Sequence, residues 1–446
     1  MSQRTGILTQ IAGFRGWKVA QTYWENAAGE RIEPVAGYDV GPDAVLVLVM
    51  ARRWAARCGQ CLTIVSGQCH GHRRPRRWKD LPWAGHRVVI EYALERVKCA
   101  RCQGCPNELV AWADPKQRQT RRFQHHLALD AFSMPLSHVA TKYGLSWRTV
   151  RRAEHDAIAR WEKSRPAQLL EMVGIDEKWL GRRHKRPEKF VTIVSNLATG
   201  EPVSIRYGRD SDALKSWLDT LSKEQKGAIR LFAVDMHDPY KSAIRADEAL
   251  AHAAVVHDPF HIIKRAGEAI TELRRQIFFR AGAEMRAIGR GTRWLVLRPW
   301  ERLPDDDKAR LRRLFSFNGK LARAYQTVEQ LREALKAPDE LALADAIWSV
   351  LCRTARRDNV PMRKLHDSLV EHMEGILALA EHRPPTGRIE ALNNNWETLV
   401  RRGRGYRDHQ YLLRKLRFLT ANPVRNRNGI LRFLALGLTP PISKAA

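Results

Sequence analysis

The stretch Val173-Gly174-Ile175-Asp176-Glu177 decides how this chain is read. It is an apolar run that ends in an acid, the pattern of a buried strand whose tip carries a carboxylate. Leu231-Phe232-Ala233-Val234-Asp235-Met236 repeats the pattern. A third segment, Gly387-Arg388-Ile389-Glu390-Ala391-Leu392-Asn393-Asn394, reads as the first turn of a helix. Two Asp and one Glu brought together can hold two divalent cations, the usual device for breaking and joining phosphodiesters. Glu177 is the rival to Asp176. Adjacent strand residues face opposite sides, so a regular strand turns Glu177 away from the cations.

Working outward, Glu171 to Leu180, Lys189 to Leu197 and Glu201 to Tyr207 read as three strands, with a hairpin turn at Ala198-Thr199-Gly200. Ser211 to Leu221 reads as a helix, Ile229 to Val234 as a strand, Pro239 to Leu250 as a helix and Ala253 to Val256 as a strand. Pro259 to Arg280 is a long helix with Pro near its start. This order predicts a mixed sheet covered by helices. Residues 282 to 381 are helical in pattern and basic, and the helical pattern resumes through Glu390 and again from Gln410 to Leu419. The tail, with Pro440-Pro441, reads as loose. His257, Asp258 and His261 stand where a strand ends. An active-site role near the acids is one reading of the three; the simpler one makes Asp258 the cap of the helix that Pro259 opens, with His261 on its first turn. Asn394, four residues after Glu390, shares its helix face and is placed to support the metal site or touch DNA.

A chain of 446 residues is too long for one ordinary domain, and 44% hydrophobic residues are enough for real cores. Lys and Arg outnumber Asp and Glu by 77 to 48, a net charge of +29, which favours a polyanionic partner and makes its binding salt-dependent. The longest apolar run, Ala44 to Ala51, is far shorter than the roughly 20 residues of a membrane span. No apolar signal core follows Met1-Ser2-Gln3-Arg4-Thr5, so a cytoplasmic location is expected, where disulfides are rare.

Six of the seven Cys lie between Cys58 and Cys105. Cys58-Gly-Gln-Cys61 and Cys99-Ala-Arg-Cys102 form two CxxC knuckles that suggest one tetrahedral zinc, stapling a region with little core of its own. The basic run Arg73 to Lys79 and a strand over His86 to Val97 lie between them. A rival ligand set of Cys69, His70, His72 or Cys105 stays open. After Pro115 the pattern is helical. Phe123 to Phe132 is followed by Leu136 to Arg152, which fits a helix-turn-helix. Ala140 is small where the helices cross, Gly144 permits the turn, and Ser146 caps the second helix. Its exposed face would offer Trp147, Arg148, Arg151 and Arg152 to a DNA major groove. Arg401, Arg402 and Arg404 most simply contact phosphate.

These motifs in this order resemble the DDE transposases of bacterial insertion sequences of the ISL3 type, over about residues 40 to 420. The paired knuckles around Trp78-Lys79-Asp80-Leu81-Pro82 resemble that family's N-terminal zinc-binding segment. Val173 to Glu177 resembles its first catalytic motif, and Val234-Asp235-Met236 with Tyr240 its second. His257 to His261 resembles a motif on the next strand end. Arg388 to Asn394, followed by Arg401 to Tyr406, resembles the third catalytic motif. Ala391 departs from an expected Gly, and a third Asn, Asn395, is unusual.

The resemblance implies an α/β multidomain protein: an N-terminal zinc-binding domain (1–110), a helix-turn-helix (111–168), an RNase H-like core in two parts (169–281 and 382–420), a helical insertion (282–381) and a C-terminal tail (421–446). Asp176 and Asp235 are 59 residues apart and Asp235 and Glu390 155, room enough for the insertion. It further implies a bacterial, nucleoid-associated enzyme with two catalytic Mg²⁺ (or Mn²⁺) at Asp176, Asp235 and Glu390. A structural Zn²⁺ is implied at Cys58, Cys61, Cys99 and Cys102. The implied partners are double-stranded DNA, as terminal inverted repeats and target, and a second or further copy of the chain. Cleavage and strand transfer then need no covalent protein–DNA intermediate. The competing classes are a catalytically inactive, DNA-binding regulator derived from such an enzyme, and a structure-specific nuclease or resolvase on the same core.

Overall fold

In the computed structural model, residues 3–33, 40–41, 43–68, 75–180, 189–236, 238–280, 282–355, 358–403, 406 and 408–438 are described. They form two units: Met1–Ala167 with Val400–Arg407 and Asn422–Ala446, and Gln168–Leu399 with Asp408–Ala421.

The first unit opens with α1 (Gln3–Ala12) and a five-stranded sheet made of β1 (Trp17–Glu25), β2 (Arg31–Ile32), β3 (Val45–Arg52), β4 (Arg76–Trp83) and β5 (His86–Tyr92), in the order β2-β1-β3-β5-β4. β3 and β5 run parallel and the other neighbours antiparallel. The apolar run at Ala44 to Ala51 is therefore a central strand, paired on both edges. The expectation of little core here is corrected. Trp17, Trp78, Tyr92 and Trp112 are buried, with ring pairs edge-on at 4.7–6.0 Å around Trp112. These aromatics are scattered between polar residues, and only the sheet brings them together.

The helix-turn-helix follows as α2 (Arg121–Ser133), α3 (Leu136–Lys142) and α4 (Trp147–Lys163). Phe123, Leu127, Val139, Ala140, Val150 and Ala153 pack between the helices. Gly144 takes φ +57°, the left-handed conformation the turn needs, and Ser146 caps α4 by accepting the Thr149 N–H at 3.2 Å. A helix over Arg427–Ala435 stands where a loose tail was expected. Its Phe433 is buried, with its ring 4.7 Å from that of His125 on α2.

The second unit is built on β6 (Met172–Trp179), β7 (Phe190–Asn196), β8 (Glu201–Tyr207), β9 (Leu231–Val234) and β10 (Ala254–His257), in the order β8-β7-β6-β9-β10. β8, β7 and β6 are antiparallel neighbours, and β6, β9 and β10 are parallel. β9 is buried at every position, as its uninterrupted apolar run requires. One face packs on α5 (Ser211–Leu218) and α6 (Asp238–Arg245) through Leu214, Trp217, Tyr240 and Ile244. After β10 comes α7 (Pro259–Arg274), which runs on without a break into a π turn over Arg275–Phe279, so that helix covers nearly the whole expected span. Between Ala283 and His382 the elements among the described residues are all helices, with a core that includes Leu321, Val328, Leu331, Ile347, Val350 and Leu369. The chain then returns to the sheet through α8 (Gly387–Gly403) and α9 (His409–Ala421). Arg388 donates to the Leu197 carbonyl at 2.6 Å, and Arg417 to that of Pro202 at 2.8 Å. Among the described residues no helix is long and apolar enough to cross a membrane.

Candidate active site and cysteine cluster

The pairing of β6 with β9 sets Gly174 opposite Ala233. Asp176 and Asp235 each lie two residues beyond that last pair, Asp176 still in β6 and Asp235 just after β9. β9 pairs Val234 with His257, and the Asp258 N–H donates to the Val234 carbonyl at 2.9 Å, so Asp258 follows in line with Asp235. Asp176 thus lies within β6, and Asp235 and Asp258 directly follow the carboxyl ends of the parallel strands β9 and β10.

Asp176 is 6% exposed. Its Oδ2 accepts from Asn393 Nδ2 of α8 at 2.7 Å, and its Oδ1 lies 3.8 Å from His261 Nε2 of α7. Glu177 faces the other way, with Arg209 at 3.8 Å. The cross-strand partner of Glu177 is Thr192, whose hydroxyl bonds to that of Tyr240 at 2.9 Å. Burial, with the charges of Glu177, Asp235 and Asp176, raises the Tyr240 phenol above its ordinary range and keeps it protonated.

Two neighbours fix the strand ends. His257 is buried and held neutral at about 4, chiefly by burial and then by His372. Its Nδ1 meets the Asp235 carbonyl at 3.2 Å, and a carbonyl can only accept, so the ring donates and ties down the Asp235 backbone. Asp258 caps α7 by accepting the Phe260 N–H at 3.0 Å. Burial raises its carboxyl, the Phe260 N–H, His261 and the Thr386 hydroxyl oppose that rise, and the Asp176 charge adds to it.

Glu390 comes from the first turn of α8 and is exposed. Its helix is seated by Gly174. A Cβ there would come within 2.7 Å of Leu197 and Ser195 and 3.0 Å of Ile389, the residue before Glu390. The sequence offers Asn394 for support of the acids or contact with DNA. Asn394 is exposed, and Asn393 turns inward to Asp176. Three residues after Glu390 is as good a helical neighbour as four, so the signal was present but did not choose between them. Asn395 bonds to the Thr420 hydroxyl at 3.4 Å.

Among the described residues, one group of potential metal ligands brings its donor atoms within 4.8 Å of one another: Cys58, Cys61, Cys99 and Cys102. The Cys58–Cys102 and Cys61–Cys99 sulfurs are 3.7 and 3.5 Å apart. A tetrahedron with zinc–sulfur arms of about 2.3 Å has edges of about 3.8 Å, so the cluster can hold zinc. Hydrogen bonds with Thr63 hold the Cys61 thiol down at about 6, and bonding to Cys61 pushes Cys102 up to about 12. Of the rival ligands, Cys69, His70 and His72 lie outside the described residues. Cys105 is disulfide-bonded, although disulfides were expected to be rare, and so is not a free ligand.

On α4, Trp147 is 50% exposed and Arg148 and Arg152 are exposed, while Arg151 lies with its guanidinium 6.0 Å from the Trp147 ring centre. Arg401 is exposed, Arg402 donates to the Phe132 carbonyl, and Arg404 lies outside the described residues.

A family model for DDE proteins of the ISL3 type, described as "Transposase", matches residues 173–416 and spans all three acids. A second, described as the helix-turn-helix domain of transposase family ISL3, matches residues 108–158. The chain is similar to the transposase for insertion sequence element IS1001 of Bordetella parapertussis, with 25% identity covering 92% of this chain and 97% of that protein. It is also similar to the transposase for insertion sequence element IS1557 of Mycobacterium tuberculosis, with 27% identity over 84% of this chain and 88% of that protein. With the first model covering more than half of its length, the chain belongs to the ISL3 family of transposases.

Proposed function

We propose that this transposase binds the terminal inverted repeats of its own insertion sequence, as a dimer or higher oligomer, and cleaves and joins DNA there through Asp176, Asp235 and Glu390. The core is read as RNase H-like. The order β8-β7-β6-β9-β10, three antiparallel strands followed by two parallel ones, supports that reading, as does a helical region between the second acid and the third. The observation that carries the proposal is the contact of Asn393 with Asp176, which joins the third motif to the first beside the strand end that bears Asp235.

The residues fit two Mg²⁺ or Mn²⁺. The donors are hard carboxylate oxygens, and the buried amide oxygen of Asn393 beside them has no hydrogen-bond partner among the described residues. When bound, the cations supply Lewis-acid activation of the attacking and leaving oxygens of an in-line displacement. Asp176 within β6, Asp235 just after β9 and Glu390 on the first turn of α8 would supply the carboxylates. In the first step a water oxygen bonds to phosphorus as the bond to the 3′ oxygen breaks. In the second, the freed 3′-hydroxyl attacks a target phosphodiester and displaces another 3′ oxygen. Tyr240, protonated, packs in the core against the sheet and bonds to the Thr192 hydroxyl. The four cysteines are read as a structural zinc site, and Trp147, Arg148, Arg151, Arg152, Arg401, Arg402 and Arg404 as contacts to DNA.

The test is cleavage of terminal-repeat DNA by the full chain with Mg²⁺. Asp176→Asn, Asp235→Asn and Glu390→Gln should each lose about a thousandfold or more in cleavage, several kcal/mol of transition-state stabilisation. Each should bind the repeat like wild type without divalent metal. A cleaving Asp235→Asn protein would overturn the assignment. A wild type that binds but never cuts would favour the regulator.

A further inference from the structure

The two oxygens of Asp176 have different surroundings. Oδ2 accepts a 2.7 Å hydrogen bond from Asn393, and both side chains are more than nine-tenths buried. Oδ1 faces His261 at 3.8 Å, beyond hydrogen-bond range. The direction of the amide follows from chemistry, because a reversed Asn393 would set oxygen against oxygen. Its own Oδ1 is then left buried and without a hydrogen-bond partner among the described residues. A buried acceptor with no donor is costly, and it is tolerated where something outside the protein supplies the donor.

Asn393 also has an informative position. It follows Glu390 by three residues on α8, so one side chain couples the helix carrying the third acid to the strand carrying the first. A carboxylate at 393 would add a like charge against Asp176, and an apolar residue could not hold it. The neutral amide does what neither can: it donates to one carboxylate and still offers an oxygen.

We propose that Asn393 is the positioning residue of this site: it holds Oδ2 of Asp176, leaves Oδ1 as the oxygen offered to a divalent cation, and accepts through its own amide oxygen from a water of that cation. This rests on the reading of Asp176, Asp235 and Glu390 as the cation ligands. The role is that of an outer partner that orients a ligand, and loss of such a partner typically weakens metal binding about 10- to 100-fold.

The experiment is a Mn²⁺ titration of the full-length, DNA-free protein, with free Mn²⁺ read by electron paramagnetic resonance. Asn393→Leu, close in volume, should bind Mn²⁺ at least about tenfold more weakly than wild type. Its affinity for terminal-repeat DNA without divalent metal should not change. The Mn²⁺ concentration for half-maximal cleavage should rise in step, and cleavage should recover at high Mn²⁺. Asn394→Ala, on the exposed side of the same helix, should titrate like wild type. If Asn393→Leu does not fold, Asn393→Ser takes its place, because its hydroxyl is too short to reach Asp176. A folded Asn393 variant with wild-type Mn²⁺ affinity and a lowered melting temperature would make the residue a packing strut and overturn the inference. Asp176→Asn in the same titration separates the two levels. If it loses Mn²⁺ binding while Asn393→Leu keeps it, the role of Asn393 alone falls. If Asp176→Asn binds like wild type, the cation site itself falls, and the inference with it.

Discussion

Asp176 and Glu177 are chain neighbours with opposite surroundings: Asn393 and His261 on one side of β6, Arg209 and Tyr240 on the other. Glu177→Gln should therefore retain cleavage under conditions where Asp176→Asn has none. An inactive Glu177→Gln beside an active Asp176→Asn would reverse the facing of the proposed ligands. A second residue-scale prediction concerns pH. His125 is buried in α2 beside Arg160, whose Nε meets its Nε2 at 3.0 Å. Burial first, and then the charges of Arg160 and Arg121, lower it to about 3. The unfolded chain protonates this His near pH 6.5, so between about pH 6.5 and 3 the unfolded state binds the extra proton. Its contribution to stability is complete above that window and is lost as pH falls through it, by at most about 1.4 kcal/mol per pH unit. Urea melts of wild type and His125→Gln should converge as pH is lowered from 7 to 4.5. A constant gap would mean that His125 titrates normally.

At the scale of elements, the seat of α8 on the sheet depends on the missing side chain of Gly174. Gly174→Ala must push against Leu197, Ser195 and Ile389. Overpacking of this kind costs about 1–3 kcal/mol, and here it also displaces the turn that carries Glu390. Cleavage should fall more than DNA binding does, measured on the same preparation. The helix α4 makes a separate prediction. Its inner face, Val150, Ala153 and Ala157, is buried, while Arg148 and Arg152 stand in solvent. Arg148→Ala or Arg152→Ala should leave the melting temperature nearly unchanged. Either should weaken terminal-repeat binding by about 1–3 kcal/mol if the side chain reads a base. Equal loss on random DNA would assign it to phosphate, and unchanged binding would remove it from the interface.

For the whole molecule, a net charge of +29 predicts DNA binding that weakens steeply with salt. Metal removal should act on only part of the first unit. The cysteine knuckles are framed by two-residue strands, Ala56–Arg57 with Ile64–Val65 and Gly67–Gln68 with Val97–Lys98, which have little packing of their own. The five-stranded sheet has an independent core around Trp17, Trp78 and Trp112. Purified protein should contain about one zinc per chain. A strong chelator should open the knuckle region to proteolysis and leave the near-ultraviolet tryptophan signal of the sheet largely intact. Collapse of that signal on chelation would show that the whole region folds on the metal. Full zinc retention in Cys58→Ser with Cys99→Ser would refute the ligand assignment.

What the sequence determined by itself is what neighbours within a few residues decide. The apolar runs ending at Asp176 and Asp235, the Ser146 cap, the left-handed turn at Gly144 and the Asp258 cap before Pro259 are all set by local sterics and hydrogen bonding, and all were legible. The order of the motifs carried the family for the same reason. Only the tertiary structure decided which side chains meet. Helical periodicity leaves Asn393 and Asn394 equally near Glu390, and packing against β6 turned in the first. The parallel pairing of Val45–Arg52 with His86–Tyr92 joins segments separated by a whole antiparallel strand, and no local pattern encodes it. The same holds for the aromatic core that the cysteine-rich region was not expected to have, and for the helix over Arg427–Ala435, whose amphipathic face is stabilised by burial of Phe433 rather than by propensity. Long-range contacts depend on shape and burial summed over the fold, so they become readable only once the chain has closed on itself.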